Sequence, residues 1–152
     1  MRLTGYYRSG DQAPHIAATV LQEDLNIVGD VRFLVDSGSS STVLSDLDVR
    51  RLGIDYTRLE QLSGGIIGVG GGVETYILPD VRLFFLTPSE NYEEALDQIY
   101  VLKHQTSTAT QRARIEKIPS ILGRDFLNKY TVVLKQTERL VLITDKPELP
   151  QM

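Results

Sequence analysis

The sequence contains no cysteine. That single absence removes a disulfide framework, a thiolate zinc site and a cysteine nucleophile from consideration. No run approaches the ~18 apolar residues of a membrane span, and the N-terminal "MRLTGYYRSGDQAPHIAATVL" has no continuous apolar core of a secretory leader. A cytoplasmic protein that neither enters nor sits on a membrane is expected. Positive charge is also scarce: 16 Lys and Arg stand against 20 Asp and Glu, a formal net charge of -4. Such a balance offers no surface for a phosphate backbone, so nucleic acid is not an expected partner. Long like-charged tails and internal repeats are missing as well.

What is present is an ordinary globular composition, 41% hydrophobic and 24% charged, in 152 residues. This length supports one hydrophobic core, and a single domain over 1–152 is expected. Apolar, β-branched segments recur at 15–21, 31–35, 73–78, 81–86, 99–102, 131–134 and 140–143. Two polar stretches, 87–98 and 103–117, read as surface loops. Helix signals are few. "SDLD" from Ser45 has the spacing of an N-terminal capping box, with Gly53 as the stop, and a second short helix follows Gly123 through "RDFLNKY", with Asp125 near its positive end. The pattern predicts a mainly β domain, a closed barrel or sandwich with one or two short helices.

Within it, "FLVDSGSSSTVL" (33–44) ends an apolar strand on Asp36, followed by Ser37 and Gly38. An ionised carboxylate beside a buried strand is costly unless hydrogen-bonded, paired or protonated. Gly38 allows a tight turn, and Ser37 and Ser39 can supply donors. An Asp-(Ser/Thr)-Gly triplet arises by chance in about one chain of this length in fifteen, so alone it denotes only an Asx-type turn. Two further segments alter the balance. "SGGIIGVGGGVETY" (63–76) clusters glycine between strand-like flanks, and "SILGRDFLNKY" (120–130) is an apolar run ending in glycine before a helix.

Taken in order over about residues 15–130, these three elements resemble the retroviral-type (retropepsin-like) aspartic proteases and their single-domain cellular relatives. The resemblance implies an aspartic endopeptidase acting on extended peptides, with no metal and no organic cofactor. Asp36 is then the acid/base, Ser37 the hydroxyl that fixes the two catalytic loops across a dimer, and Gly38 a backbone position facing substrate. Residues Ile67, Gly68, Val69, Gly70, Gly71 and Gly72 correspond to the flap tip. Ile121, Leu122 and Gly123 correspond to the segment packed beneath the catalytic loop, and Arg124 to a brace of the interface. Only one such triplet occurs, so the second carboxylate has to come from another copy, and the resemblance implies a symmetric homodimer.

The chain departs from the viral pattern in three places, one of them a 103–117 loop longer than a compact viral enzyme needs. Ser39, Ser40 and Ser41 occupy the stretch where viral relatives place an acidic partner for the helix arginine, which leaves the partner of Arg124 open. The C-terminal "TVVLKQTERLVLITDKPELPQM" suggests an added hairpin. Other constellations have plainer readings. "GVGGGV" lacks the last glycine and the following helix of a dinucleotide loop. His15 and His104 read as surface or strand-end residues rather than members of a serine triad. Asp46 and Asp48 read as helix-capping groups rather than metal ligands. The competing functional reading is a catalytically silent module of the same fold that dimerises or binds peptide.

Overall fold

The computed structural model describes residues 1–63, 73–88 and 90–146. Eleven strands and three short helices fall within them: β1 (Arg2–Thr4), β2 (Tyr6–Tyr7), β3 (Pro14–Gln22), β4 (Ile27–Val35), β5 (Val43–Leu44), α1 (Asp46–Arg51), β6 (Glu60–Gln61), β7 (Val73–Leu86), β8 (Asn91–His104), α2 (Ala109–Ile115), β9 (Ser120–Leu122), α3 (Arg124–Leu127), β10 (Thr131–Lys135) and β11 (Leu140–Thr144). Six strands close on themselves in the order β3-β4-β9-β5-β8-β7, because β7 pairs back onto β3 through Thr19↔Phe84, Val20↔Leu83 and Leu21↔Arg82. Closure removes the open edges that an unpaired sheet would expose. The mainly β, closed-barrel expectation is met. No helix among the described residues is long and apolar enough to cross a membrane.

Alternation explains which side chains fill the barrel. In β3 the inward positions are Ile16, Ala18 and Val20; in β4 they are Val31, Phe33 and Val35, while Asp30 and Arg32 face outward. The β3–β4 hairpin turns at Asn26, whose φ of 55° is a left-handed conformation that asparagine tolerates better than most residues. Phe33, Phe85 and Phe126 are fully buried, and the rings of Phe85 and Phe126 lie 5.3 Å apart. Burial of each such side chain is worth about 1.5–3 kcal/mol, so Phe126 fastens α3 to the barrel.

Several boundaries differ from the sequence expectation. The segments 73–78 and 81–86 are one continuous strand, β7, in which the buried side switches between Leu78 and Val81 across Pro79 and Asp80. The polar stretch 87–98 is largely strand: from Asn91 onward it forms the first half of β8, laddered against β7. It looked loop-like because one face is solvated, yet Glu94 and Leu96 point inward. Within 103–117, Thr108 caps α2 by accepting a hydrogen bond from the Gln111 amide, so a helix occupies part of the expected loop. The terminal hairpin is present as β10 and β11, and β1 adds to β11 to make a second, three-stranded sheet.

Candidate active site

Asp36 stands one residue past the end of β4, where β4 runs parallel to β9 with Val35 opposite Leu122. Its amide donates to the Leu122 carbonyl at 3.1 Å, so the ladder continues for one further bond and sets the height of the carboxylate. The chain then turns: the Gly38 amide donates to Asp36 Oδ1 at 2.9 Å, and the Ser39 amide to the Asp36 carbonyl at 3.2 Å. A backbone amide aimed at the carboxylate is the compensation its position requires. Asp36 is partly exposed, and Ser37 and Gly38 are exposed, which leaves the turn accessible from one side.

The loop that follows is tied to the β9–α3 segment at close intervals. Arg124 and Asp125 donate their amides to the carbonyls of Ser39 and Ser40, at 2.8 and 3.2 Å. Thr42, fully buried, donates its amide to Asp125 Oδ2 at 2.8 Å and its hydroxyl to Oδ1 at 2.7 Å, and its hydroxyl also accepts from the Gly123 amide at 3.2 Å. Asp125 Oδ1 further accepts from the Phe126 amide at the start of α3. One carboxylate thus anchors the far end of the loop to the first turn of α3. Gly123 is needed because Ser41 crosses directly over it: a methyl group there would lie 2.5 Å from the Ser41 carbonyl carbon.

Arg124, whose partner the sequence left open, donates from Nη1 to the Ser37 carbonyl at 2.8 Å. The guanidinium therefore holds the backbone of the Asp36 turn instead of an acidic side chain. Ile121 and Leu122 pair with Leu34 and Val35 of β4, and Gly123 lies against the Ser41 backbone. The flap-tip residues Ile67, Gly68, Val69, Gly70, Gly71 and Gly72 lie outside the described residues. A cavity of about 680 Å³ on the outer barrel face, bounded in part by Ala17, Arg32, Asp48 and Leu86, does not include Asp36.

Sequence reasoning missed two supporting clusters. Ser120 Oγ donates to Asp48 Oδ2 at 2.6 Å and accepts from the Ser45 amide at 2.9 Å, joining the start of α1 to β9. The "SDLD" capping signal marked Ser45 and Asp48; nothing local marked Ser120. In the second cluster, Glu94 on β8 accepts from Lys129 Nζ at 2.7 Å and from the hydroxyls of Tyr130 and Tyr92 at 2.7 and 3.2 Å. Burial alone would push the Glu94 carboxyl up, but these donors outweigh it and hold it below the usual range. The Tyr130 hydroxyl is pushed up, first by burial and then by its bonds to Tyr92 and Glu94. Both histidines are at strand ends, but neither is a plain surface residue. His15 is 2% exposed, stacked beneath Tyr6, and both ring nitrogens of His104 are buried.

A barrel with an Asp-Ser-Gly loop seated on a Gly-Arg-Asp helix start is the fold of the retropepsin-like aspartic proteases. Residues 21–88, which include Asp36, match the aspartyl protease family model. Among solved structures, a retropepsin-like aspartic protease from Rickettsia conorii aligns over 94% of this chain and 89% of its own, with a TM-score of 0.52 at 16% identity. The EIAV protease complexed with the inhibitor HBY-793 aligns over 80% and 90%, TM-score 0.46, at 21% identity. The retroviral protease-like domain of Ddi1 from Leishmania major aligns over 89% and 98%, TM-score 0.45, at 16% identity. No curated protein matches the chain. The resemblance read from the three motifs is borne out by the family match and by the fold.

Proposed function

We propose that the chain is an aspartic endopeptidase whose site is completed by a second copy, with the two Asp36 carboxylates meeting on a two-fold axis. The observation that carries this reading is the seating of Asp36: its backbone is fixed by Leu122, and its carboxylate is held by the Gly38 amide at an exposed turn. Two carboxylates about 3 Å apart share one proton, as aspartic-protease dyads are known to do. The ionised member takes a proton from water as the water oxygen bonds to the scissile carbonyl carbon. The protonated member gives its proton to the carbonyl oxygen. As the resulting diol collapses and the C–N bond breaks, the carboxyl that took the proton from water gives it to the departing nitrogen, and a diol hydroxyl returns a proton to the other carboxylate. Ser37 and Gly38 shape the turn, and Arg124 steadies it through the Ser37 carbonyl.

The substrate is an extended peptide, laid along the sheet by backbone hydrogen bonds. Self-association is supported by the terminal sheet, where β10 has no second strand partner among the described residues and Leu134 on it is 46% exposed. The cysteine-free composition suits the cytoplasmic setting expected from the sequence.

The test pairs activity with mass. Wild-type protein and Asp36→Asn are incubated with a mixture of unstructured peptides across a range of pH, and each is weighed by sedimentation equilibrium. The proposal expects cleavage by a dimeric wild type and none by a dimeric Asp36→Asn. Undiminished hydrolysis by Asp36→Asn, or hydrolysis by a species that stays monomeric, overturns it. Peptide binding without cleavage under every condition would assign the silent-module reading instead.

A further inference from the structure

A cavity of about 330 Å³ lies between α1, the end of β8 and α2, away from Asp36. This is at the lower end of the ~300–1,000 Å³ typical of small-ligand sites. Its wall carries Arg50, Lys103 and Arg112 against a single carboxylate, Asp46, in a chain whose overall charge is -4. The carboxylate is already engaged: Asp46 accepts from Arg50 Nε at 3.0 Å and from the His104 amide at 2.8 Å. Among the described residues neither Lys103 nor Arg112 stands within ion-pair distance of a carboxylate. Glu74, opposite Lys103 in the ladder, is turned to Tyr76 and Gln105. The wall therefore holds two uncompensated cations.

The imidazole of His104 supplies the second observation. Both Nδ1 and Nε2 are buried and have no hydrogen-bond partner in the structure. A buried polar ring with neither nitrogen satisfied costs free energy, and it leaves this wall of the cavity incompletely paired. Lys103 is also held in place. Tyr56 donates its hydroxyl to the Leu102 carbonyl at 2.5 Å, and the Lys103 ammonium sits 5.5 Å from the centre of the Tyr56 ring.

From this convergence we propose that the cavity is a binding site for a tetrahedral oxyanion, either a phosphate monoester or free inorganic phosphate, held by Lys103 and Arg112 beside the ring of His104. Donors from a strand and from a separate helix surround such an anion better than they do a planar carboxylate, and the doubly charged form matches the two uncompensated cations. Arg112 belongs to α2, so occupancy would join that helix to the barrel through the ligand.

The experiment is a nuclear magnetic resonance titration of the full-length protein at fixed ionic strength, following the ring C–H signals of His104, with His15 as internal reference. Inorganic phosphate and a short phosphoserine peptide are separate arms, with sodium chloride and sodium acetate as controls. Saturable movement of His104 with His15 unmoved is expected. Lys103→Ala and Arg112→Ala, both at exposed positions that leave the core intact, should each weaken binding roughly tenfold, as loss of one charge-assisted hydrogen bond does. Arg112→Lys should recover part of the loss. Tighter binding of the phosphopeptide would identify a phosphorylated protein as the source, and equal binding would identify free phosphate; either supports the site. A titration that does not saturate, that chloride or acetate reproduces, or that Arg112→Ala leaves unchanged overturns it. The readout involves no hydrolysis, so the outcome is independent of the role of Asp36.

Discussion

Replacing Gly123 by alanine adds one methyl group at the point where the loop after Asp36 and the β9–α3 segment cross. That methyl would lie 2.5 Å from the Ser41 carbonyl carbon, 2.9 Å from the Ser41 nitrogen and nearer still to the Ser41 carbonyl oxygen. All three are backbone atoms, so no side chain can rotate away. The Gly123 φ of -101° is ordinary for alanine, which makes the expected penalty purely steric. Relief requires separating two segments joined by the bonds from Arg124 to Ser39, from Asp125 to Ser40 and from Gly123 to Thr42. Overpacking of this kind costs about 3 kcal/mol, which corresponds to a fall of roughly 6–12 °C in Tm for a protein of this size. Differential scanning calorimetry on Gly123→Ala, beside Gly10→Ala as a control with nothing within 4 Å of the added methyl, measures it. Gly10→Ala should change stability by less than about 1 kcal/mol. Peptide hydrolysis should fall in Gly123→Ala alone, since the same displacement moves Asp36. If the two variants melt together, the loop is not seated on Gly123 as described, and the account of how Asp36 is positioned fails.

Thr42→Val keeps the shape of the side chain and removes the hydroxyl shared between Asp125 and Gly123. Loss of two hydrogen bonds, one to a carboxylate, should cost about 2–3 kcal/mol in urea unfolding, with most of it recovered by Thr42→Ser. Glu94→Gln tests the cluster that ties β8 to the residues after α3. Because the Glu94 carboxyl is held below its unfolded value of about 4.5, its contribution to stability is complete above that pH and is lost as pH falls through the lower folded value. Wild type should therefore lose stability more steeply than Glu94→Gln below about pH 4.5, and parallel acid-unfolding curves would count against the cluster. Lys129→Met should matter less than Glu94→Gln, since the Lys129 side chain is 53% exposed and the pair is partly screened by water.

What could be read in the sequence follows from how local each signal is. The β3 and β4 segments, the N-cap at Ser45 and the terminal hairpin are written in neighbouring residues, and they fold as expected. The first half of β8 was hidden because its partner supplies the hydrogen bonds. Polar side chains on the solvated face do not weaken such a strand, yet they erase the apolar run by which a strand is noticed. The same reasoning applies to the loop after Asp36. Its Asp-Ser-Gly signature is visible, whereas the contacts that hold it reach Thr42 and Asp125, 83 residues apart, and the Ser37 carbonyl and Arg124, 87 apart. A run of serines in place of an acidic residue looked like the loss of a partner for Arg124. In the folded chain the carbonyl of Ser37 serves instead, an acceptor that every residue type carries and that no side-chain pattern can reveal. The carboxylate in this region is on the other segment, Asp125, whose two oxygens receive the amide and hydroxyl of Thr42 and the amide of Phe126. The turn that presents Asp36 is therefore held from the β9–α3 segment by two unlike contacts, Arg124 on a backbone carbonyl and Asp125 on Thr42, and neither needs an acidic side chain at 39–41.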